Sequence, residues 1–180
     1  RALQVGFEGC TTQPFLIFEG EVYDLLQFHI HSPSEYEIGG AEYSAGFHFV
    51  HVKAGTTSDL LVVGVVFDVI THSTNLEMQK YWDVLETGAS NTTDTFTASP
   101  YDLFSIIPGF THFTGSLTTP PCTEGVEWIV MNSPSHMSET QLNLYRTSVA
   151  TFPGSKVSEL GNTNRPVQAV NGRSITYALL

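Results

Sequence analysis

The sequence predicts a single β-rich domain with two or three peripheral helices, spanning residues 1–180. Runs of apolar, β-branched and aromatic residues recur between turn signals, which is typical of strands. Helical spacing of apolar residues is found in only two segments. With 180 residues, of which 41% are hydrophobic, the chain is large enough to bury one sizeable core.

The strand predictions rest on short apolar or alternating runs. The first residues, 1–7, already have strand character, and stronger signals follow at 25–31, 47–52, 61–69 and 127–132. The breakers Ser32-Pro33-Ser34 and Gly39-Gly40 separate the first two of the strong runs.

Two segments have the pattern of amphipathic helices. Residues 75–86 place apolar side chains, from Leu76 to Leu85, near helical spacing. A second helix is predicted over residues 138–147, where Ser138 is a suitable N-cap residue.

Charge and composition exclude several function classes. Seven basic residues stand against eighteen acidic ones, for a net charge of −11, so we expect no nucleic-acid partner and no docking on anionic lipid. No apolar stretch approaches the ~18 residues of a membrane span. The two cysteines, Cys10 and Cys122, do not fix a compartment, and Asn91-Thr92-Thr93 fits the short pattern of a glycosylation acceptor.

Three histidines form the strongest chemical pattern. His29 and His31 are two residues apart in a predicted strand and therefore point to one face, whereas Phe28 and Ile30 point into a core. If the next strand pairs with this one, His48 joins them. Three imidazoles on rigid strands make a Zn²⁺ site with the fourth position open for water. The plainer interpretation of a His-x-His pair is a chance repeat on the surface.

The other polar candidates are less specific. His51 is three residues from His48, so it points to the opposite face and is predicted to be a core or interface residue. Glu35 is either a solvated loop charge or a carboxylate that fixes a hydroxyl near the metal, with Thr118 and Thr119 offering that hydroxyl. His72, His112 and His136 are in turn-like surroundings; we expect the first and last to be solvated and leave the role of His112 open.

Taken together, several blocks resemble the α-class carbonic anhydrases. The resemblance runs from about residue 25 to the end of the chain, in the order and spacing of that family. Its blocks are QFHIH (27–31), SE (34–35), YSAGFHFVH (43–51), LLVVGVVF (60–67), GSLTTPPC (115–122), VEWIV (126–130) and NRPVQ (164–168).

The resemblance implies a fold, a cofactor and an activity. The fold would be α-carbonic anhydrase-like, with a central, twisted and mostly antiparallel sheet and peripheral helices. Zn²⁺ would be the cofactor, carbon dioxide and bicarbonate the substrates, and sulfonamides or anions the inhibitors. The zinc ligands would be His29, His31 and His48.

The resemblance also assigns the residues around the zinc. Thr118 would orient the attacking hydroxide, donate a hydrogen bond to Glu35 and offer its backbone N–H to the substrate, and Gln27 would orient the ring of His29. A backbone carbonyl near Thr163 would hold His31. Thr119 would stand at the edge of an apolar pocket for carbon dioxide, whose walls would be Val50, Val62, Leu117, Val126 and Trp128.

Three departures from the family pattern carry predictions of their own. Gly46 stands where the family has an acidic residue beside the third ligand. The family's N-terminal segment is lacking, so we expect a partner chain or self-association to cover apolar surface. Cys122 matches a cysteine that many secreted members pair with one in that segment, and Cys10 is an alternative partner. With the glycosylation pattern, this favours an extracellular or secretory location.

Two rival functions stay open on the sequence alone. One is a carbonic anhydrase-like binding module that has lost catalysis, which Gly46 favours and the three histidines oppose. The other is a cupin-type metal protein in which Glu35 is a direct ligand of iron or manganese.

Overall fold

The computed structural model describes residues 3–86, 98–105, 108–151 and 162–179. These residues form nine strands, two α-helices and one short 3-10 helix, Pro100–Leu103. The strands are β1 (Gln4–Gly6), β2 (Phe15–Phe18), β3 (Glu21–His31), β4 (Ala45–Lys53), β5 (Leu60–Val69), β6 (Gly109–Ser116), β7 (Glu124–Met131), β8 (Ser135–Met137) and β9 (Thr176–Leu179). The helices are α1 (Leu76–Glu86) and α2 (Glu139–Thr151).

The strands join in one mixed sheet of order β1-β3-β4-β5-β7-β6-β9, with β2 added to β3 and β8 added to β5. The β5–β7 and β5–β8 pairs are parallel and the other pairs are antiparallel, so the prediction of a mostly antiparallel sheet is confirmed. Register places His29 opposite His48 and His31 opposite Gly46.

The two faces of the central strands differ: one packs into the main core, and the other carries the candidate functional residues. Phe28, Ile30, Phe47 and Phe49 are fully buried in the main core, to which Trp82 of α1 and Tyr145 of α2 also belong. The alternate residues of β3 and β4 point to the other face, as the period of two in a strand requires. The candidate functional residues lie on that second face.

Helix α2 begins at the residue the sequence indicates. The hydroxyl of Ser138 accepts a hydrogen bond from the backbone N–H of Gln141 at 3.2 Å, and the Gln141 side chain accepts one from the Ser138 N–H at 3.1 Å. This reciprocal pair is a capping box, and it satisfies donors that the first turn of a helix leaves free.

The strong strand predictions and both helix predictions are confirmed, and the structure adds elements that the sequence reading missed. The additional strands are β2, β6, β8 and β9, all of them half-exposed or at an edge. None of the helices among the described residues is long and apolar enough to cross a membrane. Apolar side chains are exposed on β2 and β9, among them Ile17 and Leu179, and the predicted covering partner stays a prediction.

Candidate metal centre

The three histidines predicted to bind metal converge on one point. The ring centroid of His48 is 5.1 Å from that of His29 and 4.8 Å from that of His31, and the latter two are 5.0 Å apart. Each ring offers one nitrogen, and these nitrogens all lie within 4.8 Å of one another. A sheet produces this cluster because directly opposed residues and residues two apart share a face.

Two of the rings are held by neighbours. The Nδ1 of His29 donates to the side-chain oxygen of Gln27 at 2.9 Å, and the Nδ1 of His31 donates to the carbonyl of Thr163 at 2.9 Å. These contacts leave Nε2 of each ring free to bind. The buried Nε2 of His31 has no hydrogen-bond partner, which is what a metal-binding nitrogen shows when protein groups alone surround it.

Burial favours the neutral form of two of the imidazoles, His29 and His48. Burial, with the neighbouring His31 second, lowers the pKa of His29 to about 3. Burial, followed by His31 and His29, also lowers the pKa of His48 well below its usual value. Neutral imidazole is the form that binds a metal ion, so the residues present fit a three-histidine site.

The predicted pocket residues form an apolar wall beside the histidines. Val50, Val62, Val126 and Trp128 belong to one buried cluster, against which Leu117 packs. The Trp128 ring lies 4.9 Å from the His48 ring, so the wall and the ligand set are adjacent. Thr119 is exposed, in keeping with a place at the pocket edge.

Glu35 is buried next to the histidines, but its partner is not the one the resemblance implies. One carboxylate oxygen accepts the backbone N–H of Arg165 at 2.6 Å, and the other has no hydrogen-bond partner. The expected bond from Thr118 is therefore not formed, although Glu35 and Thr118 both line a cleft of about 340 Å³. Arg165 was missed as a partner because a backbone N–H leaves no sequence signal.

Tyr36 is the second residue that sequence reasoning missed. Its ring lies 5.8 Å from that of His48 at an interplanar angle of 22°, and 6.3 Å from that of Trp128. The buried hydroxyl has no hydrogen-bond partner. It rests over Gly64, where a side chain would collide with the tyrosine ring. Burial, and then the nearby Glu35, raises the pKa of Tyr36 well above its usual value.

The remaining histidines have separate roles. His51 is fully buried on the core face, as predicted, and its Nε2 lies 2.9 Å from the hydroxyl of Tyr101. His112 contacts the carboxylate of Glu127 at 2.7 Å, and both side chains are half-buried. His72 is exposed as expected, whereas His136 is half-buried in β8 and not in a loop.

The predicted disulfide is not supported, because Cys10 and Cys122 are both free thiols in the structure. The glycosylation pattern at 91–93 lies outside the described residues. The extracellular location therefore stays a prediction.

Fold and site together define a class of protein: a sheet-borne, three-histidine metal centre with an apolar wall beside it. The family model described as eukaryotic-type carbonic anhydrase matches residues 5–179. The chain belongs to this family, the α-class carbonic anhydrases.

Individual relatives agree with this assignment. Carbonic anhydrase of Neisseria gonorrhoeae is 33% identical over 177 residues, which are 96% of this chain and 62% of the relative. The α-carbonic anhydrase of Thermovibrio ammonificans, solved with the inhibitor sulfanilamide, is 33% identical with a TM-score of 0.77, over 97% of this chain and 70% of the other. Dioscorin, solved with ascorbate, is 26% identical with a TM-score of 0.81, over 99% of this chain and 70% of the other.

The chain thus spans about three-fifths of the length of the bacterial relative. Membership of the family removes the cupin alternative, whose iron or manganese site would have used Glu35 as a direct ligand.

Proposed function

We propose that this chain is a zinc enzyme that catalyses the reversible hydration of carbon dioxide to bicarbonate and a proton. The observation that carries the proposal is the convergence of three imidazole rings, two of them with a fixed Nδ1, beside an apolar wall. The family relatives named carbonic anhydrase support the same reaction.

In this proposal His29, His31 and His48 hold the ion. Bound zinc supplies a Lewis acid that lowers the pKa of a coordinated water to about 7, a value established for carbonic anhydrases as a class.

The remaining residues prepare the site for carbon dioxide. The valines at 50, 62 and 126 exclude water from one side of the histidine cluster, which favours an apolar substrate. The Thr118 hydroxyl would accept a hydrogen bond from the attacking hydroxide and so orient it. The Glu35 carboxylate, anchored by the N–H of Arg165, would keep negative charge beside the cationic centre.

The test combines metal analysis with measured carbon dioxide hydration. We expect the wild-type protein to hold one zinc ion per chain and to lose hydration activity on addition of an aromatic sulfonamide. His48→Ala should lose zinc and activity, because removal of one of three ligands leaves too few protein groups to bind the ion. The exposed His72 is the matched control, and His72→Ala should equal the wild type. Equal activity in wild type and His48→Ala would contradict the assignment.

A non-catalytic binding protein is the second candidate function. It is favoured by Gly46, which offers no side chain next to His48, and by the similarity to dioscorin solved with ascorbate. Wild-type protein that holds zinc and has no hydration activity would select this candidate. Activity that is abolished in His48→Ala would exclude it.

A further inference from the structure

The three rings of the metal centre differ in how they are held. Gln27 lies two residues before His29 on the same face of β3, and its side-chain oxygen accepts a hydrogen bond from the Nδ1–H of His29. The equivalent position two residues before His48 on β4 is Gly46, which has no side chain to offer. A side chain there would also press on Ser34, whose Cα lies 3.3 Å from the position of the added Cβ. The partner of His48 must therefore come from another part of the chain.

Glu35 does not fill this role. Its Oε2 lies 3.8 Å from the Nδ1 of His48, which is beyond hydrogen-bond distance. The Nε2 of His48 is buried and has no hydrogen-bond partner. His31 is already hydrogen-bonded at Nδ1, whereas His48 has no hydrogen bond at either ring nitrogen, so when one nitrogen of His48 binds the metal ion the other still needs a partner.

Tyr36 brings a second buried and unpartnered polar atom to the same place. The two rings lie nearly parallel, and the tyrosine hydroxyl rests over Gly64. Gly64 is the residue directly opposite His48 in the β4–β5 pair. Directly opposed residues of paired strands share a face, so the hydroxyl and the His48 ring lie on the same face of the sheet. Only glycine at position 64 leaves room for it.

We propose that Tyr36 is the positioning residue of His48. The Nε2–H of His48 donates a hydrogen bond to one buried water molecule, which in turn donates one to the Tyr36 hydroxyl. This arrangement presents Nδ1 of His48 to the zinc ion. Both atoms are buried and lack a protein partner, and internal waters are found where they satisfy such groups. A phenol oxygen is both a donor and an acceptor, so it can bond to such a water in either direction. This inference rests on the proposed function only in requiring that His48 binds zinc.

The first test compares zinc affinity in competition with a chromophoric chelator. Tyr36→Phe removes the hydroxyl and keeps the ring, and we expect its zinc affinity to fall about 10-fold, the lower end of what loss of a ligand's hydrogen-bond partner costs. Gln27→Leu is the positive control, because it removes the known partner of His29. Tyr177→Phe, on the exposed strand β9, is the negative control and should equal the wild type.

An unpaired hydroxyl with no positioning role gives the opposite result. Removal of such a hydroxyl would not change the zinc affinity. The metal-free protein would be as stable as the wild type or more stable, because a buried polar group without a partner destabilises the fold and would no longer be present. That outcome overturns the inference. Wild-type protein that binds no zinc overturns the proposed function as well, so the two failures are distinguishable.

A second test uses the wild-type protein alone and does not depend on the folding of a variant. In zinc-loaded protein labelled with ¹⁵N, we expect the His48 ring to carry its proton on Nε2 and to exchange that proton slowly with solvent. A ring proton on Nδ1 would overturn the inference, as would fast exchange at Nε2.

Discussion

Lowering the pH should destabilise this fold through His51, a residue outside the metal centre. His51 is fully buried, its Nδ1 lies 3.3 Å from the carbonyl of Leu61, and its Nε2 lies 2.9 Å from the hydroxyl of Tyr101. These contacts suit a neutral ring that donates at Nδ1 and accepts at Nε2. Burial lowers the pKa of His51 to about 4, although backbone hydrogen bonds with Leu61 and Phe49 act in the opposite direction.

The sign of the effect follows from proton binding. In the unfolded chain the pKa of His51 returns to 6.5, so between pH 6.5 and about 4 the unfolded state binds the extra proton. Stability from the neutral ring is therefore present above pH 6.5 and is lost as the pH falls towards 4. A difference of about 2.5 pKa units, at about 1.4 kcal/mol per unit, amounts to about 3 kcal/mol at the acid end of this range.

Urea unfolding of the metal-free protein measures this quantity. The wild type and His51→Leu are compared from about pH 8 to pH 4, so that protonation of His29 and His48, common to both proteins, cancels in the difference. The free energy of unfolding of the wild type, relative to that of His51→Leu, should fall by about 3 kcal/mol as the pH falls. Burial raises the pKa of Tyr101, so the tyrosine does not titrate in this range. A difference that is constant with pH would refute the reasoning.

Three further substitutions should change stability by amounts that the packing indicates. Gly64→Ala places a methyl group on the Tyr36 ring, whose Cζ lies 2.8 Å from the added atom, and should cost about 1–3 kcal/mol in urea unfolding; an unchanged midpoint would show that the ring can move aside. Phe28→Ala opens a cavity in the fully buried core and should cost about 3–5 kcal/mol, and a loss below 1 kcal/mol would contradict the placement of this ring. Gln141→Leu removes hydrogen bonds to Ser138 and Asn75 and should cost about 1–3 kcal/mol, measured as a lower thermal midpoint; a raised midpoint would mean that these bonds contribute nothing.

The central strands were predictable because burial on two faces leaves a strong pattern. In β4 the residues from Ala45 to His51 are all buried, and in β5 an almost unbroken apolar run extends from Leu61 to Phe67. Strand β6, in contrast, is rich in glycine and threonine and is half-exposed. Its extended conformation depends on pairing with β7, the next strand along the chain, and with β9, which is distant in sequence.

The candidate site also contains residues that the sequence could predict and residues that it could not. Strand parity placed His29 and His31 on one face and His48 and His51 on opposite faces, and the expected pairing of the two strands, which the structure shows, brings His48 to the first two. The Glu35 contact could not be predicted from parity, because its partner is a backbone N–H some 130 residues away. The position of Tyr36 depends on the missing side chain at Gly64 in β5, a proximity that only the folded sheet creates.

Strand register couples the core to the metal centre. Phe28 and Ile30 flank His29 on β3 and face the core, and Phe47 and Phe49 flank His48 on β4 in the same way. A slip of one residue in either strand would move these aromatic and aliphatic side chains to the polar face and the imidazoles into the core. Burial of the four apolar residues therefore favours the single register in which His29 lies opposite His48. The same hydrophobic packing that stabilises the sheet fixes the separation of the candidate ligands, so a core substitution that loosens this register should weaken metal binding without touching a ligand.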